Sequence, residues 1–460
     1  MHTDCNARSM RFAPLGRREV TADFAGGAIT SDAGALLLGA TDRAIGMIDR
    51  FAACFTDGRK SAKVVHDLPT LLGQRVFGIA LGYEDVADHD EVRHDPALAP
   101  VLGRLEARRP GCAPLAGKST LNRLEHAPEL NSRYHRIAYD PEAIQNLFVD
   151  LFLESFAKRP KRIVLDVDAT DDPVHGNQEG RFFHGFYDCH CYLPLYIFSG
   201  PHLLAAMLRK ANQHASAGAV DEIDRIVARI RQRWPRVKIV VRGDSAFAHD
   251  EMMSWCERNR VDYVLGLARN PRLVERIHLQ QAQAEDAAER TGQTARRFAD
   301  FSWRTRTSWR RRRRVVAKAE HMPGYGERGA NPRFVVTSLS LEEADARTLY
   351  EAHYCARGDM ENRIKEAQLD LFADRTSAAS MRANQLRLWF ASMAYVLITA
   401  LRRIGLAHTR LAKATCGTIR LKLLKIGAQV RRSARRVRVA MASACAYRNE
   451  FELAHIRLCV

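Results

Sequence analysis

Over residues 1 to about 158 the apolar positions recur at helical spacing. "LPTLLGQRVFGIALGYEDV" repeats them every three or four residues, and "KSTLNRLEHAPELNSRYHRIA" begins behind a Ser/Thr cap. At about 159 the rhythm changes to that of strands. "RIVLDVDAT" predicts a first strand, and "RFFHGFYDC" and "YLPLYIFSG" a second and third joined by short turns. A helix over 219–234, "AVDEIDRIVARIRQRW", is closed by Pro235. Next come a fourth strand, "VKIVVRGDS" (237–245), a helix, "HDEMMSWCERNR", and a fifth strand, "VDYVLGLA". A meander of three strands followed by alternating helix and strand predicts a mixed α/β sheet.

Residues 270 to about 343 break this pattern with a charged, Gln/Ala/Arg-rich segment, then "WRTRTSWRRRRRVVAKAEH" and "RFVVTSL". These predict short strands of a β-rich insertion. The α/β pattern resumes over 344–405 with the helix "ARTLYEAHYCARGDMENRIKEAQLDLF" and an apolar helix over 385–401. The expected organisation is therefore a helical region (1–158), a first core part (159–269), the insertion (270–343), a second core part (344–405) and a basic C-terminal region (406–460). At 460 residues the chain is too long for one simple core.

Charge narrows the partners. The chain carries 71 Lys+Arg against 53 Asp+Glu, a formal net charge of +18, which suits nucleic acid or an anionic surface. The last 60 residues hold 14 Lys+Arg and two Glu, net +12, and read as a basic tail. The most apolar run, "LWFASMAYVLITAL" (388–401), has 14 residues, short of the ~20 that span a bilayer. No membrane role is expected. The start "MHTDCNARSMRFAPLGRREV" has no apolar signal core, and ten cysteines occur without a CxxC, so a reducing cytoplasm is the expected location. "CHC" at 189–191 with His184 has the atoms for zinc, but two Cys at i, i+2 on an apolar strand are more often structural. "PLAGKSTLNRLE" imitates a phosphate loop but has Cys112 where that pattern needs Gly, and no strand precedes it. No nucleotide cofactor is expected. Lys118 and Arg123 remain candidates for phosphate-backbone contact, beside the plainer reading of an exposed helix face.

Against this basic background, "KRIVLDVDATDDPVHG" collects aspartates at 166, 168, 171 and 172 where an apolar run ends. A right-handed crossover returns the fourth strand beside the first, parallel to it. Asp166 or Asp168 then lies near Asp244, which follows strand four in "VVRGDSAF". Neighbouring strands stand about 4.8 Å apart, and carboxylates that close repel unless a cation separates them. Mg²⁺ or Mn²⁺ is the natural filling. In "YCARGDMENRIKEAQ", Tyr354, Arg357, Glu361 and Gln368 stand at offsets 0, 3, 7 and 14, one face of a helix. Glu361 supplies a third metal carboxylate, and Arg357 with a nearby Lys grips phosphate oxygens. Singly, each signal has a bland alternative: a turn aspartate, or a glutamate on a solvated helix face.

Together the set Asp…Asp…Glu, with "DAT", "DSAF" and "YCARGDME", resembles the DDE transposases of bacterial insertion sequences. "FAGGAITSDAGALLL", "DVDATDDPVHGNQEGRFFHGFYDCHCYLPLYIF" and "ENRIKEAQLDLFADRTSA" are similar to the insertion-sequence 1380 family. The resemblance runs from about residue 15 to 440. It implies a ribonuclease-H-like core interrupted by a β-rich insertion, with two metal ions held by Asp168 (with Asp166), Asp244 and Glu361. It also implies cleavage at an element's ends and joining to target DNA, with terminal inverted repeats and target duplex as partners and a homodimer on DNA. A nuclease that cuts without joining and a silent DNA-binding derivative are the alternatives. The family's "DxT" favours Asp168 as the first ligand. Its lysine seven residues after the Glu is Gln368 here, and Lys365, one turn after Glu361, is the candidate replacement.

Three further stretches carry candidate chemistry. Seven Arg lie between 304 and 314 around Trp309, with Trp303 just before. Arg311, Arg312, Trp309 and Trp303 are candidates for backbone contact and stacking on an unpaired base, against the plainer reading of a hairpin packed on its own tryptophans. "YEDVADHDEVRHDP" reads as a capped helix end rather than a metal site. His175 and Glu179 in "HGNQEGRFFHG" are second-rank candidates beside the first motif.

Overall fold

A computed structural model describes residues 9–106, 109–128 and 134–459. The chain divides into two compact units, one of Tyr139–Ser392 and one of Met1–Ala138 with Met393–Val460.

The first of these is built on eight strands: β1 (Arg162–Ala169), β2 (Leu195–Ser199), β3 (His202–Met207), β4 (Lys238–Gly243), β5 (Asp262–Leu267), β6 (Ala295–Trp303), β7 (Arg313–His321) and β8 (Arg333–Thr337). Their order is β3-β2-β1-β4-β5-β8-β7-β6. β4 runs parallel to both β1 and β5, and every other neighbouring pair is antiparallel. The expected return of the fourth strand beside the first is what the chain does. Alternation along β1 sorts its side chains between two faces. Ile163, Leu165 and Val167 enter a large core with Ile223, Ile226, Ile239, Val241 and Met252. The intervening Val164, Asp166 and Asp168 face the other way.

That core is closed by α1 (Pro141–Glu154), α2 (Ala219–Arg233) and α3 (Asp250–Arg258). Asp140 caps α1 by accepting from the Glu142 and Ala143 amides, with Pro141 at the first helical position. On the opposite face Val240, Val264, Val316 and Val335 pack with Leu349 and Tyr350. The helical path that follows Asp345 therefore lies over the face bearing Asp166 and Asp168.

Three expectations change. "RFFHGFYDC" does not enter the large sheet: Phe182–His184 pairs with Cys189–Tyr192 in a separate three-stranded sheet. The missing strand is β3, "HLLAAM", whose Leu/Ala content does not look like a strand until the turn at Gly200 (φ +55°) folds it onto β2. The insertion's strands do not build a subdomain, because β8 pairs with β5 (Leu265↔Val336) and the sheet simply continues. Nor do its tryptophans present a stacking face. Trp303 is 9% and Trp309 3% exposed, packed in the core with Val315 and Ala317, under the guanidiniums of Arg272 and Arg313 respectively.

In the other unit Ala35–Ile45, Met47–Ala53 and Leu68–Leu81 are the main N-terminal helices, and Arg448–Leu458 is its last. Residues 406–460 are no tail. Leu411, Ile419, Leu423, Leu424, Val430 and Phe451 are buried, and Ala428–Ser433 pairs with both Arg436–Met441 and Ile29–Thr30. Counting charges hid the apolar positions between them. The stretch "ITSDAGALLL" owes its pattern to this arrangement. Asp32 is buried, 2.6 Å from Lys425 Nζ, and accepts from the Tyr83 hydroxyl at 2.6 Å. The Ala33 and Gly34 amides donate to the Ile426 and Leu424 carbonyls. A Cβ on Gly34 would overlap the Leu423 carbonyl oxygen and Leu424 Cα, which are backbone and cannot swing aside. Gly34→Ala should therefore destabilise this unit by about 1–3 kcal/mol or more. Urea denaturation checks this, and an unchanged midpoint would show that the two segments are not packed here as described.

Candidate functional site

The register of β1 on β4 sets the geometry. Arg242 pairs with Asp166 and Gly243 with Val167, so the next step places Asp244 beside Asp168. Asp244 is held at that point because its carboxylate accepts from the Ala246 amide (2.9 Å), capping the turn Ser245–Phe247. Tyr263, Leu265 and Gly266 follow on β5. A side chain at Gly266 would meet the Tyr354 hydroxyl, so the glycine leaves that phenol room against the strand.

The third motif arrives on a helical path over 346–370 that is not one regular helix. Leu349–Tyr354 and Glu366–Asp370 are wide π turns, Cys355–Arg357 is a tight turn, and α4 (Gly358–Lys365) lies between them. Wide turns of this kind gather at functional positions. Their effect here falls on Arg357. Its guanidinium donates to Asp168 at 3.1 Å and pairs with Glu361 at 2.8 Å, joining the first and third motifs.

Asp166 has a different place. Both its oxygens accept from Arg242, at 2.5 and 2.8 Å, and Arg242 also donates to the His353 carbonyl at 2.6 Å. That carboxylate belongs to a buried ion pair tying β1, β4 and the helical path together. In this structure Asp166 is thus paired with Arg242, whereas Asp168 stands beside Asp244 and is joined to Glu361 through Arg357. Sequence reading passed over Arg242, although an arginine inside the apolar strand "KIVVRG" must have a partner.

Burial pushes the Asp168 carboxyl up to about 6, with Asp244 and Glu361 adding to the rise and Arg357 opposing it. No group of three or more His, Cys, Asp or Glu is close enough to hold a metal ion among the described residues. The donor chemistry nevertheless suits one. Three carboxylates on separate elements are what a hard divalent cation takes, and in this structure the positive charge between two of them is the Arg357 guanidinium.

Most of the other candidates have partners within the fold. Gln368, at the family's lysine position, donates to the Asp171 carbonyl at 3.2 Å, and Lys365 is exposed. Arg311 pairs with Glu257, and Arg312 donates to the Ser302 carbonyl at 3.0 Å. In the other unit Lys118 lies 3.4 Å from Asp90. Arg123 lines a cavity of about 500 Å³ with Arg59, Lys60, Lys63 and Arg136. His89 is buried against Gln74, with burial pushing its imidazole down to about 3, and Asp95 caps Ala97 and Leu98, as a capped helix end requires. Glu179 accepts from the Met381 amide at 3.1 Å, where the helix Met381–Ile404 begins. Cys189 and Cys191 lie on a strand.

The family model for the transposase DDE domain group 1 matches residues 12–459. A comparison with curated proteins finds no match.

The raised Asp168 carboxyl has a consequence for stability. Between about 3.8 and 6 the folded chain holds a proton there that the unfolded chain has released, so this group's contribution falls as pH rises, by about 3 kcal/mol in total. Asn carries no such penalty. In metal-free protein, the stability of Asp168→Asn relative to the unsubstituted chain should climb across pH 4–6 and level off above. Thermal melts at matched pH read this, and the opposite trend would mean that Asp168 is stabilised as the carboxylate.

Proposed function

Because the chain belongs to the transposase DDE domain group 1 family, we propose that it cuts the ends of an insertion sequence and joins them to target DNA. The reaction is metal-dependent phosphodiester hydrolysis followed by transesterification. The observation that carries this reading is the β1–β4 register with Arg357: Asp168 and Asp244 are neighbours across a parallel strand pair, and one guanidinium joins Asp168 to Glu361. The strand order β3-β2-β1-β4-β5, in which β2 alone runs against the other four, supports a ribonuclease-H-like core. The narrower assignment to the insertion-sequence 1380 family rests on the sequence stretches that resemble it.

In this reading Asp168, Asp244 and Glu361 hold Mg²⁺ or Mn²⁺, two ions in the full site. Bound there, the ions would supply Lewis-acid activation of water and then of the freed 3′-OH. The chain's own contribution is placement. The Arg242–Asp166 pair fixes the helical path on the sheet. Arg357, once released from the carboxylates, has its fork of donors beside them for the phosphate oxygens of the scissile linkage. Tyr354, lying over Gly266, borders the same space, and Lys365 extends from the far turn of α4 toward the flanking backbone. The protein acts as a homodimer on the terminal inverted repeats.

Asp244→Asn or Glu361→Gln should abolish cleavage of a duplex carrying the element's end, by more than the ~10–100-fold typical of an outer-shell partner's loss. Duplex affinity should be retained, since neither residue contacts phosphate. A strand-transfer assay run beside the cleavage assay separates a transposase from a nuclease of the same core. Cleavage by either variant at the unsubstituted rate would remove these carboxylates from the chemistry.

A further inference from the structure

The segment Ala428–Met441 contains five arginines and no acid. Indeed no Asp or Glu occurs anywhere between Asp374 and Glu450. It folds as a ribbon of two antiparallel strands, Ala428–Ser433 and Arg436–Met441. Register sorts its residues onto two faces. Ala428↔Met441, Val430↔Val439 and Arg432↔Val437 share one, and Ala428 and Val430 on it are buried. Gln429↔Ala440, Arg431↔Arg438 and Ser433↔Arg436 share the other, where Gln429 is half-buried and the remaining five residues are exposed.

The outer face is an odd one for a protein to keep. Arg431 and Arg438 are direct cross-strand partners, and like charges placed so are destabilising. Arg436 adds a third cation on the same face. The ribbon is nevertheless fastened down. Arg432 donates to the Pro96 and Leu105 carbonyls, at 3.0 Å each, and Ile29–Thr30 pairs with the base of the ribbon at Gln429 and Ala428. Beyond that base the ribbon has two strands only. A two-stranded ribbon is one of the elements the major groove of B-DNA admits, and arginine forks match phosphate oxygens in pairs.

We propose that this outer face docks on double-stranded DNA, with Arg431, Arg436 and Arg438 contacting backbone phosphates. The inference rests on the transposase reading and names the strands on which the duplex is held.

The test compares the full chain with the triple variant Arg431→Gln/Arg436→Gln/Arg438→Gln. Binding to a duplex is measured over a range of salt. Each lost phosphate contact lowers the log–log salt slope by about 0.9, so the triple variant should lose roughly 2–3 from the slope. Its melting temperature should hold or rise, because a like-charge pair has been removed. The triple Lys variant should keep most of the slope. If the Gln triple melts lower, single Arg438→Gln decides, with an expected slope loss of about 0.9. An unchanged slope in a well-folded variant overturns the ribbon and leaves the functional reading standing. Failure of the unsubstituted chain to bind duplex at all overturns that reading as well. Binding to phosphatidylserine vesicles in place of duplex, lost in the Gln triple, would overturn the proposal in favour of an anionic membrane surface.

Discussion

The arrangement of the unit that carries Asp168, Asp244 and Glu361 depends on one buried ion pair. Arg242 and Asp166 face each other across the β1–β4 pair, and the remaining guanidinium nitrogen holds the His353 carbonyl. A charge this far from water is tolerable only when its partner is in place, and removing one member of such a pair costs about 3–5 kcal/mol. The pair is therefore a poor source of net stability and a good source of position. It fixes which turn of the 346–370 path sits over the ends of β1 and β4. Everything that Arg357 does between Asp168 and Glu361 follows from that placement.

Strand order near the site was legible because it follows from strong rules. An apolar run, a crossover helix and a second apolar run, each ending in an acid, leave few topologies, and the parallel β1–β4 pair is the one adopted. The spacing of Tyr354, Arg357 and Glu361 was legible for the same reason, although ideal helical offsets could not show the two π turns that surround them. What the sequence left ambiguous was the division of labour between Asp166 and Asp168. Alternation puts both on one face, and only their arginines separate them: Arg242 from the neighbouring strand holds Asp166, and Arg357 from the third motif holds Asp168. β3 was missed because Leu and Ala are strand residues only where a hairpin supplies the partner.

Charge was the least reliable guide to structure. The arginines around Trp309 read as a nucleic-acid surface, yet Arg313 lies buried between Asp250 and Glu257, and both tryptophans belong to the core. The C-terminal arginines read as a tail, yet they ride on alternating apolar residues that complete a folded unit. In the ribbon a periodicity of two was hidden under a count. The difference between the two clusters is the presence of acids: the first is neutralised by its own fold, and the ribbon at 428–441 has none nearby in sequence to do so.

The contact between Asp32 and Lys425 joins points 393 residues apart, and that separation orders events during synthesis. At ~5–20 residues per second, roughly 20–80 s pass between the two residues leaving the ribosome. Through that interval the N-terminal segment lacks the strand and the lysine that complete it, while residues 139–392 emerge whole. The unit that carries the carboxylates can finish folding first, and the unit made from both ends of the chain closes only when the last strands appear. A transcript cut short after residue 392 would thus encode the unit that bears the carboxylates without a finished second unit, and completion of the polypeptide becomes a checkpoint written into its topology.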